Sequence, residues 1–237
     1  MFKKIKILGL FCLTLSSTNL YADESAFAGS YIGGHLSRVG ASMTQEDSDC
    51  FYNCSAYTQV NDSPGFGVQG GFNVVRDNLL MGIELNYTDT AGEGKEDFEA
   101  GYYNTPPPQD MKYTSELKGL MSLRFRAGLV LNNTAIILSA GPALGDFDHE
   151  FRDQNNSAND QSNDDVASYS DETSGWVTGV AIEHAFTNKV IASASYSQYT
   201  FDDEQSTVID DSGIDDGYIV KYIDTVDTFD ISVSYKF

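Results

Sequence analysis

The final ten residues, TFDISVSYKF at 228–237, alternate without a break. Phe229, Ile231, Val233, Tyr235 and Phe237 fall on one face, and Thr228, Asp230, Ser232, Ser234 and Lys236 on the other. Successive side chains of an extended chain point to opposite sides, so the segment reads as a strand with one oily and one wet face. A soluble sandwich can carry such a strand. One that ends on an aromatic at the carboxyl terminus, in a chain that opens with an export signal, reads instead as the closing strand of a membrane-spanning barrel.

The export signal occupies residues 1–22. Lys3, Lys4 and Lys6 give a basic start, an apolar stretch runs from Ile5 to Leu15, and a polar run ends at Leu20, Tyr21 and Ala22. This is the layout of a secretory signal peptide, with cleavage expected after Ala22 and a mature domain at 23–237. Ala26-Phe27-Ala28 fits the small-x-small rule better but lies far from the apolar core, and is the second choice. The apolar stretch is too short to cross about 30 Å of hydrocarbon as an anchor. Cys12 is not expected to carry lipid, because Phe11 precedes it where a small residue belongs. The mature chain then keeps Cys50 and Cys54, a C-x3-C pair in a polar segment that is expected to be disulfide-bonded in an oxidising periplasm. No second Cys or His pair accompanies them, which disfavours zinc.

Charge sorts the chain into two kinds of segment. The net charge is −21, and becomes −24 once Lys3, Lys4 and Lys6 are removed, which excludes nucleic acid as a natural partner. Of the 35 acidic residues, 29 lie in 41–63, 89–116, 146–172 and 202–227, which hold only four bases. Such long polar stretches do not suit the connections of a compact soluble domain, but they suit the outward loops of a barrel. Compact turn signals at 76–78, 132–134 and 187–189 separate apolar runs where the inward turns belong. The fold expected is therefore all-β: an eight-stranded antiparallel up-and-down transmembrane β-barrel with short periplasmic turns, long extracellular loops and both termini periplasmic. Its strands are expected near 29–39, 64–75, 79–89, 117–131, 135–145, 175–186, 190–201 and 228–237, each meeting the 9–11 residues or so that a tilted strand needs.

Facing the strands follows from energy. With Phe66, Val68, Phe72 and Val74, then Leu79, Met81, Ile83, Leu85 and Tyr87, then Leu123, Phe125 and Leu129, then Trp176, Val180 and Ile182 turned to lipid, Glu84, Arg124, Arg126, Glu183 and Asp230 point inward. An arginine on the lipid face near the midplane costs about 2–4 kcal/mol. Inside a narrow barrel it can meet a carboxylate, and an eight-stranded interior is just wide enough for side chains to fill it. The expectation is a charged, hydrogen-bonded lumen rather than an open channel. Outward aromatics near the strand ends form belts at the two interfaces. Pro142 lacks a ladder donor and is expected at a bulge or a strand end.

The opening Gly29-Ser30-Tyr31-Ile32-Gly33-Gly34, the segment Ser122-Leu123-Arg124-Phe125-Arg126-Ala127-Gly128 and the closing Ser234-Tyr235-Lys236-Phe237, set in eight strands, resemble the outer-membrane β-barrel family. This group of small barrels, counted with the porin family, includes opacity-type surface proteins and the membrane part of OmpA. The resemblance implies residence in the Gram-negative outer membrane and insertion by the barrel-assembly machinery. Phe229, Ile231, Val233, Tyr235 and Phe237 would then be part of the insertion signal. Members often carry Glu-Tyr-Arg-Tyr in the seventh strand, where this chain has Ser195-Tyr196-Ser197-Gln198, so a close copy of the family's internal salt bridges is not expected. No peptidoglycan-binding domain is expected after the barrel.

The side chains that could carry catalysis or bind a metal are few and scattered. Of the three histidines, His35 is expected to face the lumen, His149 to start the third loop and His184 to lie near a turn, so no two of them share a site. No nucleophile stands with an oriented base. Asp146, Asp148 and Glu150 alternate, but Phe151 and Ser157 stand where an EF-hand loop needs glycine and glutamate. No catalytic residue, metal site or cofactor is expected. The expected partners are outer-membrane lipid and lipopolysaccharide, the assembly machinery and an unidentified extracellular ligand. Three functions stay open. The leading one is a non-enzymatic surface barrel displaying acidic loops for adhesion, envelope integrity or host interaction. The others are a narrow cation-preferring porin and a lipid-A-modifying barrel enzyme.

Overall fold

Two of the short turns begin on a residue in the left-handed region, Asp77 and Asn132, each with φ of 56°. Asp and Asn are the side chains that tolerate this conformation, so each turn reverses the chain in two residues and fixes the register of a hairpin. Thr187 shapes the third, its Oγ1 accepting from the amides of Lys189 at 3.1 Å and Val190 at 3.0 Å.

The computed structural model describes residues 25–48, 56–90, 95–100, 110–154, 165–209 and 215–237. The strands are β1 (Gly29–Asp47), β2 (Ala56–Arg76), β3 (Leu79–Thr90), β4 (Lys95–Ala100), β5 (Asp110–Leu131), β6 (Thr134–Gln154), β7 (Asp165–Ala185), β8 (Val190–Phe201), β9 (Glu204–Ile209) and β10 (Asp215–Lys236). Eight of them form an antiparallel wall in the order β1, β2, β3, β5, β6, β7, β8, β10, which closes through a β1–β10 ladder running from Tyr31↔Lys236 to Asp47↔Val220. β4 pairs with β5, and β9 pairs with β10, at the end of the barrel opposite the short turns. That end is the loop end of the barrel, and the other is the turn end.

The wall is taller than the charge pattern implies. β5, β6, β7 and β10 run for 21 or 22 residues, twice what a membrane crossing needs, so much of each acidic segment is strand and not loop. The physical reason is an alternation that counting acids conceals. In β6, Phe147, His149 and Phe151 are buried inside while Asp146, Asp148, Glu150 and Arg152 line the other face. In β10, Val220, Tyr222, Asp224 and Val226 are buried inside, with Lys221, Thr225 and Asp227 turned outward.

Two apolar clusters fill the lumen. Val75, Leu80, Val130, Ala135, Ile137, Ala185 and Ile191 close around Phe27 at the turn end. Val39, Ala41, Met43, Leu117, Leu120, Ala143, Phe147, Val177, Tyr199, Phe201 and Val226 form the second toward the loop end. Between the two lies a polar band. Burying a large apolar side chain is worth about 1.5–3 kcal/mol, so both clusters hold the wall shut as well as filling it.

Two irregularities bear on register. Lys118 is an extra residue between Leu117↔Phe147 and Gly119↔Asp146, a bulge that sends its ammonium outward to Asp148. Pro142 sits inside β6, neither at a bulge nor at a strand end. The β5–β6 ladder passes from Ser122↔Ala143 to Phe125↔Ala140 in unchanged register, so the missing donor is absorbed by a gap in pairing.

Candidate functional site

The outward residues of the lower wall are mostly apolar. Phe66, Val68, Met81, Ile83, Leu123, Phe125, Trp176 and Ile182 are all exposed, as are Phe229, Ile231, Val233, Tyr235 and Phe237 of the last strand. An exposed apolar surface of this extent is a binding surface, and a continuous belt around a closed barrel fits hydrocarbon.

Inside this belt, Glu84, Arg124, Arg126, Glu183 and Asp230 are all buried, yet they do not form one network. Arg126 lies between two carboxylates, in a hydrogen bond to Glu183 Oε1 and 3.5 Å from Glu84 Oε2. Tyr31 ties the group together: its hydroxyl donates to Glu84 at 2.6 Å and accepts from Arg126. Arg124 meets no carboxylate. It donates to Ser122 Oγ at 3.0 Å, Ser197 Oγ at 3.1 Å and the Tyr199 hydroxyl at 2.5 Å. Asp230 is held by hydroxyls alone, from Ser37 at 2.5 Å, Thr228 at 3.2 Å and Ser195 at 3.3 Å. Ser197 and Ser195, both on β8, thus supply hydroxyls to Arg124 and Asp230. A cavity of about 20 Å³ between Gln69, Glu84, Arg124 and Arg126 has room for about one water.

Near the loop end the structure brings together residues that the sequence reading kept apart. His149 is not at the start of a loop; it lies on β6, buried in the lumen. Gln45 Nε2 on β1 donates to Ser115 Oγ on β5 at 3.1 Å, the Ser115 hydroxyl meets His149 Nδ1 at 3.0 Å, and His149 Nε2 meets Asp224 Oδ2 on β10 at 3.0 Å. The chain of bonds straps one side of the wall to the other. His149 stacks on Tyr222 with ring centroids 4.7 Å apart, and burial pushes the Tyr222 phenol up to about 12. Serine, histidine and aspartate in hydrogen-bonded sequence are the parts of a nucleophilic relay. Here the order of ring nitrogens is the reverse of the usual one, and Ser115, His149 and Asp224 are at most 4% exposed. Phe151, Ala167 and Val220 are buried beyond them on the strands' loop side. The signal for the relay was available in the sequence: Ser115, His149 and Asp224 each share an inward face with buried apolar neighbours.

The other two histidines lie elsewhere. His35 is buried in the polar band with Nε2 2.9 Å from Thr88 Oγ1, and His184 is outside the wall with Nδ1 3.0 Å from Thr134 Oγ1. Among the described residues no group of three His, Cys, Asp or Glu side chains has the arrangement of a metal site. Cys50 and Cys54 lie outside the described residues, as does the 1–22 segment.

Among solved structures the chain is similar to the outer membrane protein OprG of Pseudomonas aeruginosa, at 13% identity and a TM-score of 0.51, over 90% of this chain and 98% of that one. It is similar to the outer membrane protease OmpT of Escherichia coli at 6% identity and a TM-score of 0.53, over 88% and 96% of the two chains. It is also similar to Ail, the attachment invasion locus protein of Yersinia pestis, at 14% identity and a TM-score of 0.42, over 88% and 99%. No curated protein matches. Residues 8–237 match the family model for the outer membrane protein beta-barrel domain. With its closed eight-stranded wall and continuous lipid-facing belt, the chain belongs to the outer membrane β-barrel family and is a protein of the Gram-negative outer membrane.

Proposed function

We propose that this barrel is a non-enzymatic surface anchor. Its loop end faces outside, its termini face the periplasm, and its acidic loop end carries adhesion, envelope integrity or a host interaction. The observation that supports this most is the filled lumen: two buried apolar clusters with a hydrogen-bonded charged band between them. Water and ions crossing that lumen would have to displace Phe27, Leu80 and Ile137 below and Leu120, Phe147 and Phe201 above. Outer-membrane lipid and lipopolysaccharide are the partners of the outward belt, and the barrel-assembly machinery is the partner of the last strand. Planar-bilayer recording tests the reading. Folded protein that stays electrically silent supports the anchor, and reproducible cation-selective steps replace it with the narrow porin. If loop-swapped protein keeps full binding to an identified ligand, the display role fails.

A second reading, hydrolysis of an ester or amide, is favoured by one observation, the relay through Ser115, His149 and Asp224. Its burial counts against it. Covalent labelling of Ser115 by a fluorophosphonate, lost in Ser115→Ala, would establish the hydrolase; an unlabelled folded barrel leaves the relay as a strap.

A further inference from the structure

The residues just before β1 belong to the fold. At 25–28 the chain makes a tight turn, with the Ala28 amide donating to Ser25 O at 3.1 Å and the Phe27 amide to Ser25 Oγ at 3.3 Å. The turn drives Phe27 into the mouth of the barrel at the turn end, where its exposure is 0%. Seven apolar residues from six strands enclose the ring: Val75 of β2, Leu80 of β3, Val130 of β5, Ala135 and Ile137 of β6, Ala185 of β7 and Ile191 of β8. Polar groups of the wall hold the backbone of the same turn. Asn73 Nδ2 donates to Phe27 O at 3.3 Å, and the Lys236 ammonium, from the last strand, donates to Ser25 O at 3.1 Å. Gly29 follows with φ of +115°, a conformation that residues with a Cβ rarely adopt, and this lets the chain swing from the mouth into the wall.

We infer that 25–28 is a stopper retained in the mature protein, and that the leader is removed on the amino side of Ser25, by hydrolysis of the Ala22–Asp23 amide by a leader peptidase. The sequence offers a competing site, Ala26-Phe27-Ala28, whose small-x-small pattern is the better match. Cutting after Ala28 would discard Phe27 and leave the seven enclosing side chains around a hole open to water. Asn73 Nδ2 and the Lys236 ammonium would lose their carbonyl acceptors, and the new α-ammonium of Gly29 would be placed beside an apolar ring. A cut after Ala22 keeps every one of these contacts. The stopper also joins the two chain ends at one mouth, since Lys236 holds Ser25 while the Phe237 amide donates to Ser30 O at 3.1 Å.

The test is the amino terminus of protein purified from outer membranes, read by intact mass and terminal sequencing. A chain that begins at Asp23 supports the inference, and one that begins at Gly29, or anywhere past Ser25, overturns it. Two precursor variants address the choice of bond directly. Ala22→Tyr is expected to accumulate precursor while Ala28→Tyr is processed normally, and the opposite result refutes the assignment. For the stopper itself, full mature chains beginning at Asp23 and at Gly29 are refolded side by side in detergent. The shorter chain is expected to lose the compact, heat-modifiable form at a lower temperature, and equal melting of the two would show that Phe27 stops nothing.

Discussion

The lower and upper halves of the wall are opposites built from one rule. In the lower half Ile83, Leu85, Leu123 and Phe125 face out while Glu84, Arg124 and Arg126 face in; in the upper half Phe147, Phe151 and Tyr222 face in while Asp148, Glu150 and Lys221 face out. Both halves repeat every two residues, so the period says strand and nothing about which face is wet. The surroundings decide that. A strand can leave the membrane without bending: its hydrophobic set passes from odd to even positions, or the other way, as β10 does between Val226 inside and Phe229 outside. The lower half is a membrane protein and the upper half is constructed like a soluble barrel.

If that comparison holds, the two interiors fail for different reasons. The largest effect is expected from Arg126→Met, which leaves Glu84 and Glu183 facing Tyr31 with no cation between them. Removing one partner of a buried ion pair costs about 3–5 kcal/mol, to be read from urea unfolding in lipid vesicles. Leu120→Ala in the upper cluster is expected to cost about 2–5 kcal/mol by opening a cavity, and its loss should not depend on lipid composition. Next comes the exterior contrast. Ile83→Arg on the lower face should cost about 2–4 kcal/mol, whereas Ser168→Arg on the upper face should stay within about 0.5 kcal/mol; equal costs would dissolve the distinction between the halves. A pH-dependent effect concerns Tyr222. Its phenol titrates near 10.0 when free and is raised to about 12 in the fold, so the neutral form is favoured in the folded barrel. That stabilisation is complete below pH 10 and is lost as the pH rises toward 12, so the late part of the alkaline absorbance titration should shrink in Tyr222→Phe, and ionisation of Tyr222 should loosen the upper half.

Much of the lower half was legible because lipid imposes a demand that sequence displays directly. Apolar residues at every second position of 79–87 and 229–237 leave one choice of facing, and the Asp77 and Asn132 turns mark where strands reverse. The inward charges of that half could be placed for the same reason, but their partners could not. Tyr31, Ser197 and Tyr199 come from strands far away in sequence, and only closure of the wall brings them to Arg126 and Arg124. The upper half was misjudged as loop because composition outweighed pattern. Residues 146–154 look acidic in aggregate, yet Phe147, His149 and Phe151 stand at strand spacing within them. The relay through His149 went unseen with them, since a histidine assigned to a loop has no neighbours to consult.

The ladder that shuts the wall has a consequence in time. β1 is the first strand a ribosome makes and β10 the last, so contacts such as Tyr31 with Lys236 span nearly the whole chain, the extreme of non-local pairing. Until the final residues emerge and find their place, both edges stay open to other chains, and a protein lacking its last strand presents two sticky borders in place of one seam.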